Sequence, residues 1–342
     1  MKGRNGSGRV KRGAVVNGAV RFGGFAGAAA GASAAATGGC DANGRPALVV
    51  CDLDGTLLDH HSSPVRGVLR AVAALRAAAV PVVICTGRAV APTRALAVQL
   101  GLEHSVAIAY HGAVVVDVAG GRWLARLDLP RQAVGPAVAA LHHAGATLTA
   151  YVDDERWVQA AADGADGRTA GAPPKMPPSP PTVLRPQRDL AAALDGVSVT
   201  RLIVATPDGR GAGDDNGLAT GAADAAAAAP LAGVLDELTA RWPDLAVSSA
   251  APGYLELHHA RADKRTALAG LCARLGVPAG AVVACGDGAP DAGMLSWAGM
   301  GIAIAEGNEQ AAAAADVVVA RDGLADLLAS LAGPSEGPDR RR

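Results

Sequence analysis

The chain has 342 residues, and its 31 Lys and Arg against 32 Asp and Glu give a formal net charge of −1 and a pI near 6.7. That balance excludes a protein built mainly to grip nucleic acid or an acidic membrane, and the length suffices for one large domain or two ordinary ones. Half of the residues are apolar but only 3% are aromatic; about 80 alanines supply much of the apolar share, so the mean hydropathy of +0.23 overstates affinity for lipid.

Residues 1–45 are Gly/Ala-rich and carry Lys2, Arg4, Arg9, Lys11, Arg12 and Arg21 with no acid before Asp41. They read as a disordered basic extension, the alternative being an organellar or export segment. The run Ala26 to Thr37 lacks Leu, Ile and Val and is too short to span a bilayer. The five cysteines form no C-x-x-C pair, and the His60-His61, His142-His143 and His258-His259 doublets have no i, i+4 partner. Neither a disulfide framework nor a zinc site is expected, and a reducing, cytoplasmic setting is the simpler one.

From Pro46 the texture changes to short apolar runs alternating with helical spacing. Strands are expected at Ala47 to Cys51, Val80 to Cys85 and Ser105 to Ala109, and helices at Val65 to Ala79 and Ala91 to Leu100. A helix at Thr266 to Leu275 and strands at Ala281 to Cys285, Gly301 to Ala305 and Val317 to Ala320 repeat that pattern near the other end. The alternation predicts an α/β fold with a doubly wound parallel sheet. Between lie strands around the turn Asp153-Asp154-Glu155, which reads as a solvated turn with a ligand-contacting loop as the alternative, a strand over Val197 to Ala205, a helix over Leu231 to Arg241 and a terminal hairpin. Seven prolines in Asp163 to Asp189 argue against regular structure there, and Pro207 to Pro230 reads as a Gly/Ala-rich insertion. The sum is a Rossmann-like core (46–130 and 253–332) with an inserted α+β module (131–252) and a disordered tail (333–342).

The strongest chemical signal is Asp52-Leu53-Asp54-Gly55-Thr56-Leu57-Leu58, directly after the first strand. Ligands of open α/β sheets bind beyond the carboxyl ends of strands, and alternation along an extended segment aims Asp52 and Asp54 the same way. Two carboxylates about 4 Å apart repel by about 4 kcal/mol at an effective dielectric near 20. A divalent cation, a shared proton or both would relieve that cost, and Mg²⁺ suits phosphate substrates; a Ca²⁺ loop or a solvated turn would carry the same string. Three weaker signals follow other strands or open a helix. Gly286-Asp287-Gly288-Ala289-Pro290-Asp291 brings two further carboxylates, Thr86-Gly87-Arg88 offers a hydroxyl and amides to an anion, and Lys264 offers a compact positive charge.

Together these motifs resemble the haloacid dehalogenase superfamily of hydrolases, in its Cof-like branch with a type-IIB cap, over about Pro46 to Leu331. The cap exit Pro252-Gly253-Tyr254-Leu255-Glu256-Leu257, leading to Asp263-Lys264, is part of the likeness. The resemblance implies a Mg²⁺-dependent phosphatase of small phosphomonoesters, a sugar phosphate or a nucleotide-type cofactor, working as a monomer or homodimer. It implies Asp52 as nucleophile and Asp54 as general acid/base. Metal would be held by Asp52, the Asp54 carbonyl, Asp287 and Asp291, and phosphate by Thr86, Gly87 and Lys264, with Arg88 and His111 as candidate substrate contacts, a structural imidazole at the strand end being the alternative for His111.

Two positions depart from the family pattern. Pro290 stands where the family has Asn, removing an amide side chain and a backbone donor beside the metal loop, and His111 replaces the Asn of an Asn-Gly-Ala string. Slower turnover is expected from both. A phosphosugar mutase or phosphotransferase on the same scaffold, or a catalytically weakened phosphometabolite-binding protein, are the alternatives that the sequence leaves open.

Overall fold

The computed structural model describes residues 45–159, 183–205, 231–251 and 254–333. The basic extension up to residue 44, the insertion at 206–230, most of the proline-rich stretch and the tail beyond Gly333 lie outside the described residues.

The first sheet has eight strands in the order β14-β13-β12-β1-β2-β3-β4-β5. Its parallel part comprises β1 (Leu48–Cys51), β2 (Val82–Cys85), β3 (Val106–Ala109), β12 (Val282–Gly286), β13 (Met300–Ile304) and β14 (Val317–Val319). β1, β2 and β3 are four-residue apolar runs, and every residue of each is buried. Alternate residues divide between two cores, as a sheet covered on both faces requires. Val49, Cys51, Ile84, Ala107 and Cys285 face one core, into which α1 (Val68–Ala77), α2 (Val90–Gln99) and the C-terminal helix Leu324–Ser330 send side chains. Leu48, Val50, Val83, Ile108 and Ala284 face the other, with Leu268, Leu271 and Met294.

Two strands not foreseen from the sequence, β4 (Val114–Asp117) and β5 (Trp123–Arg126), extend this sheet antiparallel beyond β3. Their hydrophobicity is legible, but the tight turn that reverses the chain after β3 is not. Tyr110 and His111 both adopt left-handed backbone, at φ of 51° and 52°, a conformation with no steric signature in either residue type.

The second sheet runs β10-β11-β9-β6-β7-β8, from β6 (Thr147–Val152), β7 (Glu155–Gln159), β8 (Leu184–Gln187), β9 (Arg201–Ala205), β10 (Leu245–Ala251) and β11 (Tyr254–His259). One face packs on α3 (Arg131–His143), α4 (Leu190–Ala193) and α5 (Ala232–Arg241) in a core of its own. From the other face, Tyr151 and Ile203 join the first core, so the module is seated on the parallel sheet.

Two expectations are corrected here. The proline-rich stretch is not free of regular structure, because β8 lies inside it and pairs with β7. Pro186 is tolerated because β8 is an edge strand, where a missing N–H costs no ladder bond on the open side. The strand expected from Val197 begins only at Arg201, since Ser198 and neighbouring backbone carbonyls are drawn to Arg126 and Arg131 instead.

Candidate active site

The carboxyl ends of β1, β2, β3 and β12 meet at one crevice. Asp52 follows β1 directly and is 5% exposed. Lys264, at the first position of α6 (Lys264–Leu275), lies 3% exposed opposite it. Its Nζ donates to Asp52 Oδ1 and to Asp291 Oδ1, each at 2.6 Å. Asp291 is fixed in turn through its other oxygen, which accepts from the amides of Asp287 at 3.1 Å and Gly288 at 2.9 Å. Asp287 accepts from the Thr56 hydroxyl at 2.9 Å. Gly55 makes this closeness possible. Its φ of 81° is left-handed, and a side chain there would strike the Asp287 carboxylate.

One oxygen each from Asp52, Asp287 and Asp291 lies within 4.8 Å of the others, the one such group among the described residues. Burial pushes the Asp52 carboxyl well above its usual range, with Asp291 and Asp287 adding to the rise and Lys264 opposing it. Burial likewise raises Asp287 to about 6. Lys264 is pulled down by burial, but Asp291 and Asp52 outweigh that and hold it firmly protonated. Two buried carboxylates, Asp52 and Asp291, thus share one ammonium, and the half-buried Asp287 adds a third negative charge beside them. An all-oxygen donor set with an excess of negative charge fits a hard divalent cation, and Mg²⁺ is one.

Asp54 does not stand beside Asp52 in this group, contrary to the alternation argument. The chain enters a turn at Leu53, whose carbonyl accepts from the amides of Thr56 and Leu58, and the Asp54 carboxylate is instead gripped by the Arg88 guanidinium through Nε at 2.7 Å and through Nη2. Arg88 is buried, while the Asp54 side chain is 47% exposed at the mouth of the crevice. Thr86 is 1% exposed, and its hydroxyl accepts the Arg88 amide at 3.3 Å, which leaves its own proton free to donate. Pro290 sits in a short 3-10 turn, Ala289–Asp291, where the first amides have no helical partner anyway. Asp291 is therefore held without a donor from position 290.

The His111 ring lies against Gly87, where any side chain would collide with it. Its Nδ1 is buried without a hydrogen-bond partner. Burial lowers its pKa to about 4 against an ordinary 6.5. Because the folded value is below the unfolded one, the neutral ring contributes stability that is complete above pH 6.5 and lost as pH falls towards 4, about 3 kcal/mol in all. His111→Asn should remove that dependence. Urea unfolding at pH 7 and pH 4.5 is expected to show a smaller loss for the variant than for wild type, and equal losses would contradict it.

Cys51, Cys85 and Cys285 are wholly buried at the strand ends. Burial raises the Cys85 thiol far above its usual range, which fits inert apolar packing. Asp153-Asp154-Glu155 is a solvated turn only in part, because Asp153 is exposed but Asp154 is not left to solvent. Asp154 reaches out of the second sheet to the start of α2, accepting from the amides of Val90 at 2.7 Å and Ala91 at 2.6 Å. Arg201 and Glu256 form a buried pair at 3.2 Å close to Gly87. Sequence reasoning gave Arg201 no role, held Glu256 only as part of the cap-exit string, and weighed the Asp153-Asp154-Glu155 turn as a leaving-group contact but not as a contact to the core. A charged residue inside each of the apolar strings Arg201-Leu202-Ile203-Val204 and Leu255-Glu256-Leu257 is the signal that marks the pair.

Residues 49–178 and 226–328, more than half of the chain, match a family model described as haloacid dehalogenase-like hydrolase. The chain belongs to that family, in its Cof-like branch. The fold of this haloacid dehalogenase-like hydrolase, cap included, is also that of several solved structures. A haloacid dehalogenase-like hydrolase from Bacteroides thetaiotaomicron is 21% identical with a TM-score of 0.65, over 83% of this chain and 98% of that one. A Thermotoga maritima protein is 20% identical with a TM-score of 0.64, over 85% and 98%. A subclass IIB sugar phosphatase is 17% identical with a TM-score of 0.60, over 82% and 97%. Among the described residues, no helix of this hydrolase is long and apolar enough to cross a membrane.

Proposed function

We propose that this hydrolase is a Mg²⁺-dependent phosphatase of small phosphorylated metabolites that works through an aspartyl-phosphate on Asp52. The observation that carries the reading is the close group of Asp52, Asp287 and Asp291 at the carboxyl ends of the parallel strands, with Lys264 joined to Asp52 and Asp291. Asp52, Asp287 and Asp291, with the Asp54 carbonyl, would hold Mg²⁺, which when bound neutralises charge between a carboxylate nucleophile and a phosphate dianion.

The residues divide the chemistry as follows. An Asp52 oxygen attacks phosphorus as the ester oxygen leaves, so the P–O bond to the substrate breaks and an acyl phosphate forms. Asp54, whose side chain is open to solvent at the crevice mouth, would take up a proton there, give it to the departing alkoxide, and then take one from the water that attacks the acyl phosphate and frees Asp52. Lys264 has one ammonium hydrogen beyond the two used by Asp52 and Asp291, and Thr86 has its hydroxyl proton. Both would hold phosphoryl oxygens while charge shifts, the positioning that supplies most of the acceleration in phosphoryl transfer. Arg88 keeps Asp54 at the crevice mouth, where the ester oxygen must lie. The similarity in fold to a sugar phosphatase supports a sugar phosphate as the substrate class.

A panel of phosphomonoesters assayed for phosphate release with Mg²⁺ and with EDTA tests the reading. Release that needs Mg²⁺ is expected, highest with sugar phosphates. Transfer to a second sugar in preference to water would favour a mutase, and Mg²⁺ binding with no release from any ester would favour a binding protein.

A further inference from the structure

The helix that begins directly after Thr86-Gly87-Arg88 lacks a cap of its own. Ala89 occupies the N-cap position of α2 with no side-chain hydrogen bond, and Ala is among the poorest residues there. Pro92, the third residue of the helix, has no N–H, so Val90 and Ala91 carry the orphan amides of the first turn. Both are taken by Asp154, 63 or more residues away at the tip of the β6–β7 hairpin of the cap. Asp153 and Asp154 both hold positive φ, 47° and 69°, which turns the carboxylate back toward the core. The same carboxylate accepts from the Tyr110 hydroxyl at 2.6 Å.

A second cap residue reaches the same loop from the other side. Arg201 Nη1 donates to the Gly87 carbonyl at 3.0 Å, and its guanidinium lies over the rings of Tyr110 at 4.6 Å and Tyr151 at 4.3 Å. Arg201 is 3% exposed and held by Glu256. Tyr110 closes the circle through its amide, which donates to the Arg88 carbonyl at 2.9 Å. The segment Gly87 to Ala91 is therefore fixed on both flanks by side chains of the cap, with Arg88 and its Asp54 contact between them.

We infer that Asp154 and Arg201 are positioning residues supplied by the cap, which complete the phosphate-binding loop and the start of α2 only while the cap is seated. The inference deepens the proposed phosphatase reading and rests on it for its consequence in turnover. Seating the cap then does more than cover the substrate. It sets Thr86, Gly87 and Arg88, and through Arg88 it sets Asp54. A contact of this kind acts on the phosphoryl group that every substrate shares and is indifferent to the leaving group.

The test compares wild type with Asp154→Ala, Asp154→Asn and the control Glu155→Gln, whose side chain pairs with Arg185 within the cap. Amide hydrogen exchange at Val90 and Ala91 is read together with kcat/KM across the ester panel and binding of inorganic phosphate in the presence of Mg²⁺. Asp154→Ala is expected to speed exchange at both amides. It should also lower kcat/KM by about 10- to 100-fold, by the same factor for every ester, and weaken inorganic phosphate. Asp154→Asn keeps an acceptor for one of the two amides but sets an NH2 against the other, so it should recover only part of the loss, while Glu155→Gln should match wild type. Unchanged exchange would overturn the contact itself. Faster exchange with unchanged phosphate binding and turnover would overturn the positioning role, and a loss that varies with the ester would make Asp154 a leaving-group contact instead. A wild type that releases no phosphate from any ester would overturn the phosphatase reading, and the exchange data would still decide whether the cap completes α2.

Discussion

Asp52→Asn is expected to lower phosphate release by about 10⁴-fold or more, with little loss of stability. The amide keeps an oxygen for the Lys264 ammonium, which lies 2.6 Å from Asp52 Oδ1 in the wild type. It also removes one of three carboxylates crowded within 4.8 Å, so repulsion falls as the ion pair is lost. The variant therefore separates nucleophilic power from architecture, and its stability is expected to stay within about 1 kcal/mol of wild type in urea unfolding. Weaker Mg²⁺ binding should accompany the change, because a charged oxygen donor is replaced by a neutral one. Loss of activity through unfolding would contradict the assignment.

Lys264→Met should cost both stability and turnover. The substitution keeps the length and apolar stem of the side chain but strands two buried carboxylates, Asp52 and Asp291, that the ammonium now joins. Removing one partner of a buried ionic cluster costs about 3–5 kcal/mol. The loss should shrink when Mg²⁺ is added or when the pH falls far enough for a stranded carboxyl to take a proton. Turnover should drop by about 10²- to 10³-fold, the scale for removing one donor to a developing negative charge. Urea unfolding with and without Mg²⁺ at pH 7 and pH 5, run beside steady-state kinetics, checks both parts. A variant whose stability is indifferent to metal and pH would contradict the shared-ammonium geometry.

The parallel core was legible because its signals are local. Val82–Cys85 and Val106–Ala109 are apolar, wholly buried runs, and the chemistry-bearing residues sit at the first positions after each strand, where topology alone brings them together. The meeting of Asp52, Asp287 and Asp291 was legible for the same reason, whereas the pairing of Lys264 with Asp52 and Asp291 was not, because the sequence offers Lys264 only as a charge for phosphate. What escaped depends on contacts between distant segments. The direction of the Asp54 carboxylate is set by Arg88, 34 residues away, and by the turn that the chain enters at Leu53. The Asp154 carboxylate looks solvated in its own turn, and nothing near it in sequence says that α2 lacks a cap to receive it. β8 was missed because prolines argue against a strand without saying whether that strand lies at an edge, where Pro186 is harmless.

The central claim is that phosphate passes through Asp52. Rapid-quench of wild type with a labelled phosphomonoester and Mg²⁺, followed by peptide mapping, tests it most directly. The expected result is transient label on the peptide that contains Asp52, formed faster than phosphate is released and absent when EDTA is present or in Asp52→Asn. Phosphate released with no label on Asp52 at any time, or an Asp52→Asn variant that turns over at the wild-type rate, would contradict it.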